Sequence, residues 1–528
     1  MSKGRALALS AGIVTIATLS GRIFGFVREV VIANKFGAGA ETDAFIVAFT
    51  IPNIIYSLVV MGALSASFIP VFSGLLANDD EEEAWRLAHT ILNLLLIAFG
   101  FIAAALMVFA PQVIFLVSPG FGSSGEQLAL ASNLLRIMAP ALIFLGISGL
   151  MAGTLNSYNH FATPSLVALV QNVIMVAAII FLAQRMGIYA AAIGFLAASV
   201  CQVLIQLPAL LKRKLSYRAV LDLRSERAKS VAKLFLPVLV ALAASQSNLI
   251  VDKWFASFLE TGSISYLNYA FKVGSLPLNT LVAAIAIVLF PTLSRQAATR
   301  DTDALRDTIS LGVRIIAMVA VPASVGLFVL SKPIIGLLFE HGAFGSAATV
   351  ATAAALAAYS FGLVAMGLNM LLVRSFYALH DGMTPLKASL VFIVFLIALD
   401  IVLVRPFAHV GLALSYTIAV SVMALVMLGA LRKRLQGLDE AKLIVSFAKT
   451  FLAAVVMGVG AWFTASYLSA TLAGGTKLTE LTVVVIAISV GALLYLGALV
   501  LARAEEIAII RRLIRGKISA KQVAADDV

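Results

Sequence analysis

Fourteen long apolar runs, each bounded by polar or turn-forming residues, leave lipid as the solvent for most of this chain. They cover residues 6–33, 43–76, 86–109, 127–153, 164–183, 188–210, 231–258, 265–294, 308–331, 349–378, 385–404, 410–431, 445–468 and 480–502. Crossing a bilayer takes about 20 apolar residues in a helix. A backbone in lipid must satisfy its hydrogen bonds within its own segment, so runs of this length predict helices. The composition agrees, with 61% hydrophobic and 12% charged residues in 528, where a soluble chain carries about 25% charge. The expected fold is an all-α integral membrane protein of about 14 transmembrane helices. Lys3 and Arg5 precede the first run like a signal peptide, but Arg22 follows where small residues would mark a cleavage site, so the first helix is read as retained. A single cysteine, Cys201, excludes a disulfide framework and a Cys-based metal site.

The net charge of +12 has a pattern. Arg86, then Lys212, Arg213, Lys214, Arg218, Arg224, Arg227 and Lys229, then Arg295, Arg300 and Arg306, then Arg432, Lys433 and Arg434, then Arg511, Arg512, Arg515 and Lys517 fall on alternate loops of one side. The other side holds little beyond Lys35, Arg185, Lys332, Arg405 and Lys477. The positive-inside rule then places both termini in the cytoplasm. Stretches 212–229 and 505–521 read as amphipathic helices lying on the anionic inner leaflet.

The chain also repeats itself. Pro70 in FIPVFS and Pro291 in LFPTLS lie 221 positions apart, as do Pro164 in YNHFATP and Pro385 in YALHDGMTP. GFGS at 120–123 is echoed by AFGS at 343–346. Six helices per copy keep both copies in one orientation, a parallel repeat about the membrane normal. The expected organisation is a six-helix bundle over 1–211, a basic cytoplasmic linker over 212–230, a second six-helix bundle over 231–432, helices 13 and 14 over 433–504 and a basic tail over 505–528. Two like bundles suit an alternating-access transporter. No Gly-Lys-Ser/Thr phosphate loop is present, so an ATP-driven pump is excluded. His89, His160, His341, His380 and His409 lack partners at metal-ligand spacing, and no enzymatic centre is expected.

Charges inside membrane helices cost about 2.5–3.5 kcal/mol each by insertion scales, so they mark function. The first helix carries Arg22 and Arg28 in SGRIFGFVRE. At six residues' separation they stand about 9 Å apart along the axis and about 120° around it, a spacing that suits the two ends of a phosphate chain. The bland alternative pairs Arg28 with Glu29. Gly21 and Gly25 form a small-xxx-small packing face. Asp43 opens the second helix, where a carboxylate also caps backbone N–H groups. Lys272 is the cavity candidate of the second copy, with Arg374 nearer the cytoplasm. Asp252, Asp400 and Thr417 supply hard oxygens suited to a small cation, although Lys253 beside Asp252 offers that carboxylate an internal partner.

These segments, in order, resemble the MurJ (MviN) family of lipid II flippases in the multidrug/oligosaccharidyl-lipid/polysaccharide exporter superfamily. The resemblance rests on SGRIFGFVRE (20–29), FGAGAETDAF (36–45), Pro-Asn (52–53), GALSASFIPVF (62–72), RIMAPALIF (136–144), LNSYNHFATP (155–164), SQSNLIVDKWFASFL (245–259), LLFEHGAF (337–344), SFYALHDGMTP (375–385) and GLAL (411–414). It spans helices 1 to 12 and implies movement of an undecaprenyl-diphosphate-linked peptidoglycan precursor from the inner to the outer leaflet of the bacterial inner membrane for cell-wall biosynthesis. It implies a cationic cavity to which Arg22, Arg28 and Asp43 match directly, no cofactor beyond a monovalent cation near Asp252, Asp400 and Thr417, a tail-holding groove on helices 13 and 14, and possible cell-wall synthesis partners.

The chain departs from the family pattern in two places. Tyr56 and Ser57 stand where a basic pair is usual and Met61 where Glu is usual, while Lys272, beside Phe271, stands for an arginine preceded by Asp. Lysine is a point charge and serine carries none, so the expected cavity recognises phosphate with fewer bidentate contacts. A flippase for another polyprenyl-diphosphate-linked glycan is the alternative reading. A non-transporting membrane scaffold would leave the arginines of helix 1 without purpose, and a drug-cation exporter would want acidic ones there.

Overall fold

The computed structural model describes residues 3–213, 219–222, 224–472 and 476–503, and among these every regular element is a helix. The first copy runs α1 Lys3–Phe36, α2 Ala40–Tyr56, α3 Ser65–Ala77, α4 Glu81–Val108, α5 Ala110–Val117, α6 Glu126–Met138, α7 Ala141–Ser157, α8 Ala162–Met186 and α9 Tyr189–Leu211. The second runs α10 Glu226–Ala256, α11 Ser263–Pro277, α12 Ala283–Ala298, α13 Thr302–Val329, α14 Ser331–Phe339, α15 Ser346–Ser360, α16 Leu363–Ala378 and α17 Met383–Leu435. Helices α18 Glu440–Thr471 and α19 Lys477–Leu501 follow.

The duplication read from two prolines extends to helix ends. α4 and α13 begin 221 positions apart, at Glu81 and Thr302, and end 221 apart, at Val108 and Val329. Each is capped by an aspartate at the same register: Asp80 accepts from the Glu83 N–H at 3.2 Å and Asp301 from the Ala304 N–H at 3.0 Å. Such caps satisfy N–H groups that a helix start leaves open. Between α2 and α3 the chain winds as a π-helix from Ser57, and between α11 and α12 it does so from Leu278, again 221 positions on.

By length and apolarity, nine helices among the described residues are fit to cross a membrane, or eleven when α6 with α7, bent by 41°, and α15 with α16, bent by 47°, each count as one span. The expected fourteen is not reached by this measure. The 53 residues of α17 would extend about 80 Å as one helix, well beyond a bilayer core of about 30 Å. Ala408, at φ 48° and ψ −130°, breaks it in the gap foreseen between 404 and 410.

Packing groups the chain into two units, residues 1–266 with 339–348, and residues 267–338 with 349–528. In the first, α1 lies along α8, α8 against α9, and α10 against the π segment and α3. Small residues allow close approach: a Cβ on Gly149 would meet Val60 at 1.7 Å, and one on Gly146 would meet Phe99 at 2.4 Å. In the second unit, Ala317, Met318 and Val321 of α13 pack with Ala454, Met457 and Tyr495 of α18 and α19.

The linker meets its expectation only at its end. Residues 226–230 open α10, whereas 212–213, 219–222 and 224–225 are not helical. They bind α4 instead: Arg86 pairs with Asp222 at 2.8 Å, the Asn93 amide donates to the Val220 carbonyl at 2.8 Å, and the Asp222 N–H reaches Thr90 Oγ1 at 3.4 Å. Polar groups on α4 offer this segment the partners that a helix would otherwise have supplied. Lys214, Arg218 and the tail 505–528 lie outside the described residues.

The ends of the two copies carry matched arginines. Arg213 sits over the Tyr158 ring, 4.9 Å from its centroid, and the Tyr158 hydroxyl donates to Glu81 at 2.8 Å. Burial, then this bond to Glu81, pushes the phenol above its ordinary value. Arg434, 221 positions after Arg213, instead pairs with Asp381 at 2.8 Å.

Candidate substrate-binding residues

The first helix meets α8 through the glycine stripe. A Cβ at Gly21 would lie 3.3 Å from that of Ala168, and one at Gly25 would lie 3.2 Å from the Asn172 side-chain nitrogen. Close backbone approach lets the Asn172 amide donate across to the Gly21 carbonyl at 3.0 Å and back to the Ala168 carbonyl at 2.9 Å.

Arg28 is built into this junction. Its Nε and Nη2 donate to Glu29 Oε1 at 3.3 and 2.7 Å, its Nη1 donates to Asn172 Oδ1 at 3.0 Å, and its carbon centre stands 5.5 Å from the Phe49 ring centroid. Glu29 is buried, with 4% exposure. The pairing of Arg28 with Glu29, foreseen as the bland alternative, is present. Arg22 is exposed on the same helix. Arg28 is thus held in a fixed direction, while Arg22 stands at an exposed position six residues earlier.

Asp43 is a cap for a distant helix. It is 2% exposed, with Oδ2 accepting from the Gly262 N–H at 2.6 Å and Oδ1 accepting from the Ser265 N–H at 2.8 Å. The turn is made by Gly262 at φ +100°, a backbone conformation that favours glycine. Capping was foreseen for α2 itself; the carboxylate instead serves the first turn of α11. Both carboxylate oxygens of Asp43 thus have partners within the protein.

At the departures from the family pattern, neutral groups bond to one another. Ser57 donates to the Ile54 carbonyl at 3.0 Å and accepts from the Gln246 amide at 2.8 Å. The side chain of Met61 lies outside those described. In the second unit Phe271 joins Tyr359, Tyr416 and Phe392 in edge-to-face contacts of 5.5 to 5.8 Å. Lys272 beside it is partly buried. Arg374 donates to the Ala283 carbonyl at 3.4 Å.

Of the cation candidates, Asp252 belongs to the first unit, and Asp400 and Thr417 belong to the second. Asp400 is fully buried, and Thr417 donates to the Ala358 carbonyl at 2.9 Å. Among the described residues no three His, Cys, Asp or Glu side chains gather as a metal-binding group. Sequence reading did not reach Asn172 or Gln246. For Asn172 the available signal was the Gln-Asn pair inside the apolar run ALVQNVIMV.

A duplicated set of long apolar helices with basic side chains among them defines a multi-pass membrane transporter. Its fold is shared with an inward-facing multidrug resistance MATE family transporter of the MOP superfamily, at TM-score 0.68 and 16% identity over 80% of this chain and 99% of that one. A solved structure described as lipid II flippase MurJ in an inward closed conformation matches at TM-score 0.77 and 28% identity, covering 93% of this chain and 98% of that chain. The lipid II flippase MurJ of Burkholderia cenocepacia is 31% identical over 79% of this chain and 82% of its own length. The probable lipid II flippase MurJ of Haemophilus influenzae is 32% identical over 84% of this chain and 90% of its own. The family model described as lipid II flippase MurJ matches residues 32–485, and the chain belongs to the MurJ family.

Proposed function

We propose that this protein is a lipid II flippase, carrying the undecaprenyl-diphosphate-linked peptidoglycan precursor from the inner to the outer leaflet by alternating access. Two arginines on α1, one exposed and one clamped by Glu29 and Asn172, in a chain of the MurJ family, are the observation that carries this reading. A guanidinium stays charged at every relevant pH and binds phosphate oxygens in bidentate fashion. Arg22 meets the diphosphate first, Arg28 receives it in a fixed orientation, and the polyprenyl tail stays in the bilayer.

The same reading places both termini in the cytoplasm, where the arginine-rich loops lie. It assigns Lys272 as the headgroup cation of the second unit, and Asp400 with Thr417 as ligands for a coupling monovalent cation. An inside-negative potential favours outward movement of a dianionic headgroup by about 2.3 kcal/mol per charge per 100 mV.

The deciding experiment is rescue of a bacterium depleted of its own lipid II flippase, comparing this chain with Arg22→Ala and Arg28→Ala at equal membrane levels. Rescue by the parent and loss in both variants supports the proposal. A well-inserted parent that does not rescue points to another polyprenyl-diphosphate-linked glycan, the reading that Tyr56, Ser57 and Lys272 favour. Rescue by both variants would mean that neither arginine is needed for transport and overturns their assignment to the diphosphate.

A further inference from the structure

We propose that Asn172 on α8 is a positioning residue for Arg28, fixing the direction in which its guanidinium meets the diphosphate; this rests on the reading that Arg28 binds that group. The amide of Asn172 can be oriented in only one sense. Its nitrogen faces two carbonyls, of Gly21 at 3.0 Å and Ala168 at 2.9 Å, so its oxygen faces Arg28 Nη1 at 3.0 Å. Flipping the amide would set carbonyl against carbonyl and N–H against guanidinium, losing three bonds together. The residue is 8% exposed, so water is a poor substitute for these partners.

Three sides of the guanidinium are then defined by different elements. Glu29 of α1 takes Nε and Nη2, Asn172 of α8 is the oxygen acceptor for Nη1 with the weaker Met175 sulfur at 3.8 Å beside it, and Phe49 of α2 lies against the face. Glu29 alone does not fix the plane, because Nε and Nη2 converge on one oxygen, Oε1, and the fork can pivot about that atom. Asn172 removes the pivot. Bidentate recognition depends on the plane of the fork as well as its charge, so loss of Asn172 weakens ligand binding while leaving the charge in place. The glycines at 21 and 25 belong to the same device, since a larger residue at either would push α8 and its amide away from α1.

The test uses the full chain in nanodiscs titrated with undecaprenyl diphosphate, with flipping of lipid II followed in vesicles. Asn172→Ala is expected to raise the half-saturating concentration about tenfold, the equivalent of one lost oriented hydrogen bond, with the maximal rate little changed. In an Arg28→Lys background, where no fork remains to orient, adding Asn172→Ala is expected to change nothing further. An unchanged half-saturation in Asn172→Ala, or equal effects in both backgrounds, overturns the proposal. Asn172→Leu, of similar volume but without the acceptor oxygen, covers the case in which the alanine variant does not fold: it is expected to raise the half-saturating concentration as alanine does, and parent-like binding overturns the proposal. Arg28→Ala that binds as tightly as the parent instead overturns the reading of Arg28 itself.

Discussion

Asp43 and Ser265, 222 positions apart, are joined by two hydrogen bonds to a single carboxylate oxygen, from the serine N–H at 2.8 Å and from its hydroxyl at 2.5 Å. The second oxygen takes the Gly262 N–H at 2.6 Å. A buried carboxylate is tolerated here because it stands at a helix start, where N–H groups need acceptors and the dipole favours negative charge.

Asp43→Ala leaves two backbone donors without their acceptor and is expected to lower stability by about 2–4 kcal/mol. Ser265→Ala removes only the hydroxyl bond and is expected to cost about 1 kcal/mol. Thermal unfolding of the purified protein in detergent orders the two. Equal effects would mean that the serine hydroxyl, rather than the helix start, is the main partner.

Asp381 gives a pH dependence with a definite sign. The Thr384 N–H and hydroxyl, with Arg434 beyond them, bind its charged form and hold its carboxyl below the ordinary value of 3.8. A depressed folded-state value means a stabilising contribution that is fully present above the unfolded-state value and is lost as pH falls through the folded one. The difference in melting temperature between parent and Asp381→Asn is therefore expected to be constant near neutrality and to shrink below about pH 4. A difference that persists unchanged into acid would assign the effect to shape rather than charge.

Ala408 occupies a left-handed conformation that alanine adopts at a cost and glycine adopts freely. Ala408→Gly is expected to raise stability by about 1 kcal/mol. The opposite holds three residues later. A Cβ on Gly411 would stand 2.2 Å from the Leu403 carbonyl oxygen, so Gly411→Ala forces backbone apart and is expected to reduce the yield of folded protein. Melting temperature and monodisperse yield read the pair.

The helices and their duplication were legible because both are periodic signals: apolar runs fix helix positions, and a proline at equal intervals fixes the repeat. Residue pairing was legible only locally. Glu29 beside Arg28 suggested its partner, whereas Asn172, 144 positions on, did not. Asp43 announced a cap, but the helix that it serves begins some 220 residues later. The linker 212–229 carried the charge pattern of a membrane-surface helix, and the polar row of Arg86, Thr90 and Asn93 that captures it is a property of another segment. Long-range partners depend on tertiary approach, which a single segment does not encode.

Arg28 combines a structural with a binding role, whereas Arg22 is expected to carry only the second. Arg28→Ala leaves Glu29 buried without its guanidinium, and breaking a buried pair costs about 3–5 kcal/mol. Adding Glu29→Ala removes the carboxylate that has lost this guanidinium, so the double variant is expected to regain part of that stability while flipping remains lost. Arg22→Ala, from an exposed position, is expected to reduce flipping with little change in melting temperature. Melting curves and lipid II flipping in vesicles, measured on the same preparations, give both readouts. Flipping that returns with stability in the double variant would make Arg28 a packing residue and leave Arg22 as the diphosphate's contact on the first helix.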